Sequence, residues 1–380
     1  MFLSLPHINI VSSGHSALDH RLFDKEAQTL KSLSSKIRII ANYSDSCTID
    51  GVEIHSLHNN KSRLYRFLIT PWKCLNICLK YQTPIIHIHD LELLMICPIL
   101  KLLGQKIIIY DVHEDFGKLM LRRDWIPTFL RRAIATILEI AERMLALSVD
   151  GIIGVTDPLT AKFWNHRKIS IYNLPSSFLL RMASSSLPTP EKRIYDLVHL
   201  GTLSHERLVF LGQIIRILLR LRPEIKILVV GLRSEQVHWA RKSFPNCADI
   251  IGKVPYHKVP AYLIKCRIGI NIHPILYPHL KVAVPAKIFE YMACGCNVVT
   301  SYLPELDRLL DEETKKNISI IKNGDPSVYA HRINQMLSQR ERLVANQALL
   351  TRKVVEKYNW NTEAKKLILF YQQLLKENLG

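Results

Sequence analysis

Short runs of apolar and β-branched residues alternate with longer stretches of helical periodicity along most of this 380-residue chain. This alternation is typical of α/β proteins that are built on mainly parallel sheets. The predicted strands are 8–12, 37–41, 52–56, 85–89, 107–112, 152–155 and 169–172, then 197–200, 227–230, 250–254, 268–272, 298–301 and 318–321. The serine- and proline-rich stretch 175–190 predicts a linker between the two sets. We therefore expect two doubly wound domains that face a central cleft.

Helical periodicity is clearest at 21–33, 63–79 and 127–147. The tail, 325–379, predicts two or three amphipathic helices, with a break at 359–361. No run of about 18–20 apolar residues lacks a charge, so no transmembrane helix is expected. The N-terminus has neither a basic region nor a cleavage site of the kind that a secretory signal needs.

Composition limits the class of protein further. Hydrophobic residues make up 48% and charged residues 22%, which suits buried cores and excludes a disordered chain. The formal net charge of +18 favours anionic partners, namely nucleic acid, acidic lipid or phosphorylated metabolites, without choosing among them. The eight cysteines lack the paired spacing of a zinc site. Reduced thiols in a cytoplasmic protein are the simplest interpretation.

The stretch 284–306 combines a cation and a carboxylate at the start of a predicted helix. Lys287 and Glu290 open an apolar run that ends at Gly295 and is followed by a β-branched strand. The unpaired N–H groups and positive dipole end of such a helix suit phosphate oxygens, and Lys287 would add a full charge. Glu290 could bind the two hydroxyls of a ribose. The alternative is an ordinary i,i+3 surface pair on a core helix.

The run P-x-K-x-F-E-Y-M-A-x-G in this stretch resembles the donor-site signature of glycosyltransferase family 4. Those proteins are retaining enzymes with the two-domain GT-B fold, so the resemblance implies two Rossmann-like domains that face a cleft. The implied division is 1–180 for the acceptor side, 181–358 for the donor side, and 359–380 as a segment whose helix, roughly 362–379, returns to the first domain.

A second segment agrees with the family and departs from it in part. Gly201 follows a predicted strand and lets a phosphate approach the backbone, and Arg207 can neutralise a diphosphate. The alternative is a plain strand–turn–helix with a solvated arginine. In the family, a cation normally stands where this chain has Thr202, and the first of two paired glutamates where it has Val282. The resemblance keeps Thr202 as a donor-binding position but weakens any inference about the sugar.

Two further donor contacts are implied by the resemblance alone. Gly14, after the first strand, resembles a glycine that packs near the diphosphate, although a simple turn glycine is as good an interpretation. Val254 lies where the family's backbone contacts a pyrimidine base, and Tyr256 beside it could be ordinary packing.

The first half of the chain places titratable groups at the predicted ends of strands, where open α/β sheets bind ligands. His113 resembles a family histidine that lines the donor sugar, and Glu114 lies beside it. Asp90 is a candidate on the acceptor side. His87 and His89 share one strand face and could mimic a metal pair, but no third ligand is obvious and GT-B enzymes do not require a bound metal. We therefore expect no metal site and no cofactor.

Residues 118–132 join four arginines to Trp125 and Phe129. Cationic and aromatic side chains together suit an anionic bilayer surface, although a solvated helix face is the alternative. The family often uses lipid-linked acceptors, which favours peripheral attachment to the inner face of the cell membrane.

The resemblance thus implies transfer of a hexose from a nucleotide sugar, most simply a UDP-hexose, to a hydroxyl of a glycan or polyprenyl-lipid-linked acceptor in surface polysaccharide synthesis. His113, Arg207 and Lys287 are the expected catalytic residues, without a metal ion. The alternatives are a non-catalytic nucleotide-binding partner in polysaccharide assembly and a UDP-sugar 2-epimerase. No motif supports binding of nucleic acid.

Overall fold

The computed structural model describes residues 7–58, 62–105, 107–123, 125–184, 187–322 and 324–379. It divides into two compact units. The first unit runs to Asn173 and resumes at Asn361, and the second runs from Leu174 to Trp360. The first unit therefore ends at residue 173, seven residues before the predicted boundary at residue 180 (180 − 173 = 7).

The first unit contains a sheet of eight strands among the described residues. They are β1 Ile8–Ser16, β2 Ile37–Asn42, β3 Cys47–Ile49, β4 Val52–Ser56, β5 Ile85–Ile88, β6 Ile107–Val112, β7 Gly151–Gly154 and β8 Lys168–Ser170. Their order is β3-β4-β2-β1-β5-β6-β7-β8, and only β3 runs antiparallel to its neighbour. The central strands are apolar and buried on both faces, as in Ile107–Ile109, which is why they sit at the middle of a parallel sheet.

Helices of the first unit cover that sheet. They are the π-type helix His20–Ala27 with its continuation Gln28–Leu30, then Arg63–Leu68, Thr70–Tyr81, the 3₁₀ helix Leu91–Ile96, Cys97–Leu102, Phe116–Met120, Thr128–Ala146, Asp157–Ala161 and Trp360–Leu379. The last helix, from residue 361 on, belongs to this unit. There the Tyr371 hydroxyl lies 2.8 Å from Nδ1 of His87 in β5. The described helices include none that is long and apolar enough to cross a membrane.

The second unit has six parallel strands in its described residues. They are β9 Tyr195–Leu200, β10 Ile227–Leu232, β11 Ala248–Gly252, β12 Cys266–Asn271, β13 Asn297–Ser301 and β14 Ser319–Ile321, in the order β11-β10-β9-β12-β13-β14. The helices are Ser177–Ser184, His205–Leu221, Ser234–Ser243, Val259–Leu263, Ala286–Ala293, Pro304–Leu309, Glu312–Asn317, Pro326–Ser338 and Arg340–Glu356, with 3₁₀ turns at Pro190–Lys192, Tyr256–Lys258 and Pro278–Val282.

Each sheet has a point where the strand order reverses. It lies between β1 and β5 in the first unit and between β9 and β12 in the second. Ligands of open α/β sheets bind outside the carboxyl ends of the strands at such points. The two reversals therefore locate the two regions where a site is expected.

Two predicted connections differ in the structure. The stretch 175–190 contains the helix Ser177–Ser184, because Leu179 is fully buried and gives this segment an apolar anchor; Ser185 and Ser186 lie outside the described residues. In the tail, the predicted break at 359–361 is displaced, since the last helix already begins at Trp360. Tyr358, Asn359 and Trp360 are buried, so packing decides where this chain turns.

Candidate functional site

Two glycines with left-handed backbone meet at the reversal point of the second sheet. Gly201 follows β9 with φ +93°, and Gly231 in β10 has φ +96°. A Cβ on Gly231 would lie 2.9 Å from Cα of Gly201, closer than such atoms approach. Both positions thus need glycine, and together they keep the backbone after β9 free of side chains. Gly201 is predicted from the sequence, whereas Gly231 is not.

The helix Ala286–Ala293 is attached to the same strand end through the peptide groups of Leu200. Lys287 Nζ donates to the Leu200 carbonyl oxygen at 2.7 Å. One turn later, the Tyr291 hydroxyl accepts from the Leu200 N–H at 2.8 Å and donates to the Ile270 carbonyl at 3.2 Å. This double attachment fixes the N-terminal turn of the helix beside Gly201. Tyr291 is fully buried, so it is part of the core and also anchors the helix.

Two basic side chains, those of Lys287 and Arg207, lie near each other beside Gly201. Burial, and then the neighbouring charge of Arg207, lower the pKa of Lys287 to about 7, against the opposing effect of Glu290. Arg207 lies in the first turn of the helix His205–Leu221, where its Nε donates to the Ile272 carbonyl at 2.7 Å. Two cations held together at low exposure form a favourable environment for an anion.

Glu290 lies on the buried side of its helix and is 7% exposed. Its Oε1 accepts a hydrogen bond from the Tyr256 hydroxyl at 3.0 Å. Tyr256 opens the turn after β11, and Val254 lies in the same connection, so this contact ties the Val254 loop to the helix. The sequence analysis had treated Tyr256 as possible packing. Thr202 is exposed, and Val282 ends the 3₁₀ turn Pro278–Val282.

At the reversal point of the first sheet, Asp90 binds the C-terminal half of β1. Its Oδ2 accepts from Ser12 Oγ at 2.6 Å and from the N–H groups of Ser13 and Gly14 at 2.8 and 3.1 Å. A Cβ on Gly14 would lie 2.9 Å from the other oxygen of Asp90. Asp90 and Gly14, predicted for opposite sides of a site, are therefore directly bonded to each other, although they are 76 positions apart in the sequence. Their ligand-binding roles stay predictions.

His113 follows β6 and is partly exposed, and its Nε2 lies 3.0 Å from Nδ1 of His89. Nearby, His15 pairs with Asp19 at 3.4 Å. Burial would lower the pKa of His15, but the Asp19 hydrogen bond and the Asp90 charge raise it to about 9. Glu114 is exposed, whereas Asp115 is buried and caps the next helix through the N–H of Lys118.

Beneath His113, four buried side chains converge, two of which the sequence analysis missed. One potential ligand atom from each of Glu26, His87, His89 and Asp111 lies within 4.8 Å of the others. The pair His87 and His89 therefore has partners, contrary to our expectation. Arg21 contacts both carboxyls, at 2.8 Å from Glu26 and 2.7 Å from Asp111. The four residues could offer ligands to a metal ion, but the guanidinium already supplies a cation.

Comparison with known proteins places these observations in a class. Residues 212–368 match the model of a family described as glycosyl transferase-like; the match covers less than half of the chain, includes Lys287 and Glu290, and begins after Arg207. No curated protein matches the sequence significantly.

Solved structures match almost the whole chain. A sucrose-phosphate synthase from Thermosynechococcus elongatus is similar with a TM-score of 0.72 and 14% identity, covering 98% of this chain and 100% of that one. HepE from Anabaena, in complex with UDP-glucose, is similar with a TM-score of 0.70 and 13% identity. That match covers 97% of this chain and 100% of the HepE chain. WaaG, a glycosyltransferase involved in lipopolysaccharide biosynthesis, is similar with a TM-score of 0.67 and 12% identity. That match covers 95% of this chain and 98% of the WaaG chain.

The chain therefore has the GT-B glycosyltransferase fold, with a glycosyl transferase-like segment in its second half. The resemblance found in the sequence is confirmed at this level, as is the fold class of two Rossmann-like parallel sheets. Membership of family 4 in particular stays a prediction.

Proposed function

We propose that this protein is a retaining glycosyltransferase that moves a hexose from a UDP-sugar to a hydroxyl group of a glycan or lipid-linked acceptor. The observation that carries the proposal is the attachment of Lys287 and Tyr291 to Leu200, which holds a helix N-terminus and a cation beside Gly201. The glycosyl transferase-like segment supports the transferase class. The UDP-glucose bound to HepE, which has the same fold, supports a UDP-hexose as donor.

Each predicted donor-binding residue of the second unit has a defined role in this proposal. The diphosphate binds against Gly201 and the first turn of Ala286–Ala293, where Lys287 and Arg207 neutralise it. Glu290 accepts hydrogen bonds from the ribose hydroxyls, and the backbone at Val254 contacts the base. Thr202 is close enough in sequence to Gly201 to border the phosphate but adds no charge.

The chemistry follows from charge development on the departing diphosphate. As the bond from the sugar to the phosphate breaks, negative charge grows on phosphate oxygen, and fixed cations stabilise it. The acceptor oxygen bonds to the anomeric carbon on the face that the diphosphate leaves, and a phosphate oxygen accepts its proton, which gives retention without a protein nucleophile or a metal ion. Removal of one such stabilising donor typically lowers the rate by about 10²–10³. We expect this loss for Arg207→Ala.

Binding of UDP tests the donor assignment directly. Glu290→Ala should weaken UDP binding by roughly 10-fold or more in calorimetry, because a charged acceptor of two hydroxyls is lost. Glu305→Ala is the matched control, since Glu305 is equally buried in the same unit and pairs with Arg308 at 2.7 Å. Unchanged UDP affinity in Glu290→Ala would refute the ribose assignment.

Turnover tests the transferase class separately. We expect slow hydrolysis of one sugar from a panel of UDP- and GDP-hexoses in the absence of an acceptor. The neutral Thr202 and Val282 favour one other function, a non-catalytic nucleotide-binding partner in polysaccharide assembly. Tight UDP binding without turnover of any donor would support that function instead.

The helix Thr128–Ala146 supports a peripheral membrane location. Its buried residues are only Ala135, Glu142 and Ala146, whereas Phe129, Ile137 and Met144 are 82%, 66% and 60% exposed. The exposed Arg132 and nearby arginines accompany this apolar face. Basic residues near an anionic bilayer each contribute about 1 kcal/mol. We propose that this face binds the inner surface of the cell membrane and brings the enzyme to a lipid-linked acceptor.

Vesicle sedimentation checks the membrane proposal. The wild-type chain should sediment with phosphatidylglycerol vesicles and less with phosphatidylcholine vesicles, and Ile137→Glu should lower that binding at least several-fold. Leu102→Glu is the control, because Leu102 is 86% exposed elsewhere in the same unit. If the wild-type chain sediments with neither kind of vesicle, and Ile137→Glu instead changes the molar mass of the protein in light scattering, the face is a contact between copies of this chain.

A further inference from the structure

The four buried side chains beneath His113 carry polar atoms without hydrogen-bond partners. We call these four residues the histidine–carboxylate cluster: Glu26, His87, His89 and Asp111. None of them is more than 1% exposed. Both carboxyl oxygens of Glu26, Nε2 of each histidine and Oδ1 of Asp111 lack a hydrogen-bond partner among the residues that the structure describes. Buried polar atoms are nearly always hydrogen-bonded, so five of them in one interior indicate a common ligand.

The other nitrogen of each histidine ring is held by a neighbouring side chain. Nδ1 of His87 lies 2.8 Å from the Tyr371 hydroxyl, and Nδ1 of His89 lies 3.0 Å from Nε2 of His113. Histidines that bind a metal show this arrangement, because a second residue holds one ring nitrogen and orients the other toward the ion. The two Nε2 atoms are therefore the ones available to an ion.

Three elements bring the cluster together. His87 lies in β5 and His89 directly follows it, Asp111 lies in the neighbouring β6, and Glu26 lies in the π-type helix His20–Ala27. Turns of π-helix are rare and occur frequently at functional sites. One potential ligand atom from each residue lies within 4.8 Å of the others, and Glu26 Oε2 is 3.1 Å from His89 Nε2. Ligand atoms around a four-coordinate zinc ion are roughly 3.3–3.6 Å apart, so small side-chain rotations suffice.

Arg21 supplies only part of the positive charge that this interior needs. Its Nε and Nη2 donate to Asp111 Oδ2 at 3.1 and 2.7 Å, and its Nη1 donates to the Ile171 carbonyl at 3.1 Å. Its Nε also lies 2.8 Å from Glu26 Oε1, without forming a hydrogen bond. Burial raises the pKa of Asp111 to about 7, against the charge of Arg21. One guanidinium faces two carboxyls, so a second cation would stabilise both as carboxylates.

We propose that the histidine–carboxylate cluster binds one divalent metal ion, with Zn²⁺ as the best match, at a structural site. Imidazole together with carboxylate suits Zn²⁺, whereas Mg²⁺ and Ca²⁺ prefer oxygen ligands alone. Because all four residues are buried, the ion holds the helix His20–Ala27 against β5 and β6 and does not meet the substrate. The four ligands belong to the first unit, so the donor site and the transfer chemistry do not depend on them.

The metal content of the wild-type chain gives the first test. The full chain is purified without a histidine tag, and its metals are measured by inductively coupled plasma mass spectrometry. It is then unfolded and refolded with EDTA, since a chelator does not reach buried ligands, and titrated with Zn²⁺. We expect stoichiometric metal in the purified chain and stoichiometric binding of Zn²⁺ by the depleted chain. Failure of either result in folded protein would overturn the proposal.

Glu26→Gln removes one anionic ligand with little change in shape. It should lower the affinity for Zn²⁺ by at least about 10–100-fold, the loss that changes outside the ligand shell already produce. Glu142→Gln is the matched control. Glu142 is fully buried in the same unit, but its oxygens accept from Tyr110 at 2.9 Å and from Lys162 at 2.7 Å. Equal Zn²⁺ affinity in the two variants would refute the assignment of Glu26 as a ligand.

A pair of histidine variants keeps the test decisive if Glu26→Gln does not fold. His89→Asn should lose the metal, whereas His199→Asn should keep it. His199 is equally buried but lies in β9 of the second unit. The wild-type chain loaded with Co²⁺ should also show a visible absorption band that His89→Asn lacks. Retention of the metal by both variants would contradict the proposed site.

Removal of the metal tests its structural role. The depleted chain should unfold at a lower temperature and lose hydrogen-exchange protection in His20–Ala27, β5 and β6, because the ion binds only the folded state. Added Zn²⁺ should restore both. UDP affinity should be the same with and without the metal, so the donor assignment and the metal site can fail separately. Unchanged protection in the depleted chain would contradict a structural role.

Discussion

Lys287 shows how a single residue is tuned by its surroundings. The ammonium group is held against the Leu200 carbonyl, near a second cation, and the Lys287 side chain is half-buried. Burial and Arg207 therefore bring its pKa down to about 7. A bound diphosphate would supply the missing negative charge and restore the ordinary basicity of the amine. Nucleotide binding and protonation at this residue should consequently be linked.

The linkage predicts uptake of a proton when UDP binds at pH 8. Free Lys287 is mostly neutral at that pH, and the bound state is protonated, so up to one proton enters; at pH 6 both states are protonated and uptake disappears. Calorimetry in buffers with different ionisation enthalpies measures this number. Lys287→Arg is the matched variant, since its guanidinium stays charged and should bind UDP without uptake. Equal proton uptake in wild type and Lys287→Arg would place the titrating group elsewhere.

At the scale of elements, the second sheet and one helix together form the predicted phosphate-binding position. β9 and β10 approach so closely at their ends that Gly231 touches the backbone of Gly201. The helix Ala286–Ala293 is held at the same end by the Leu200 contacts. The position of the Gly201 backbone thus depends on the spacing of β9, β10 and this helix.

Gly231→Ala should disturb this spacing. The new Cβ meets Gly201 and also occupies a strained left-handed conformation, which costs about 1–3 kcal/mol and shifts the Gly201 loop. We expect a lower free energy of unfolding in denaturant titration and weaker UDP binding. Gly104→Ala separates the two effects, because Gly104 has φ +86° but nothing within 4 Å of its Cβ position. Gly104→Ala should lose some stability and keep the UDP affinity of the wild-type chain. If Gly231→Ala also kept the wild-type UDP affinity, the close approach of Gly231 to Gly201 would not matter for binding.

At the scale of the whole molecule, the C-terminal helix belongs to the unit that the chain left about 190 residues earlier (361 − 173 = 188). Phe370 and Leu374 pack against Gly151 in β7, where a Cβ would lie 2.8 Å from the first and 2.9 Å from the second. Glu363 accepts from the Tyr172 N–H at 2.9 Å in the same unit. The first unit is therefore assembled from both ends of the chain.

Leu374→Ala should destabilise the first unit by about 2–5 kcal/mol, the usual cost of a cavity at a fully buried leucine. Hydrogen exchange should show the loss of protection in β6, β7 and the last helix. Leu369→Ala, on the same helix but 64% exposed, is the control and should change little. Loss of protection confined to residues 174–360 would contradict the assignment of this helix to the first unit.

The sequence by itself determined the two parallel sheets and most strand positions, and it predicted Gly201, Arg207, Lys287 and Glu290 as one donor-binding set. These follow from local periodicity, from glycine at strand ends, and from one short motif whose residues lie within a single helix. Among the residues that the structure describes, β3 is the one strand that was not predicted, because Cys47–Ile49 is short and at the sheet edge, where its residues are exposed or half-buried.

Tertiary structure alone decided which distant residues meet. Arg21 and Asp111 are 90 positions apart, and Tyr371 reaches His87 across 284, so no local pattern could pair them. For the same reason, His87 and His89 looked like an incomplete pair until Glu26 and Asp111 were found beside them. The packing of whole elements brings such polar groups into a common interior, and a local pattern does not record that packing.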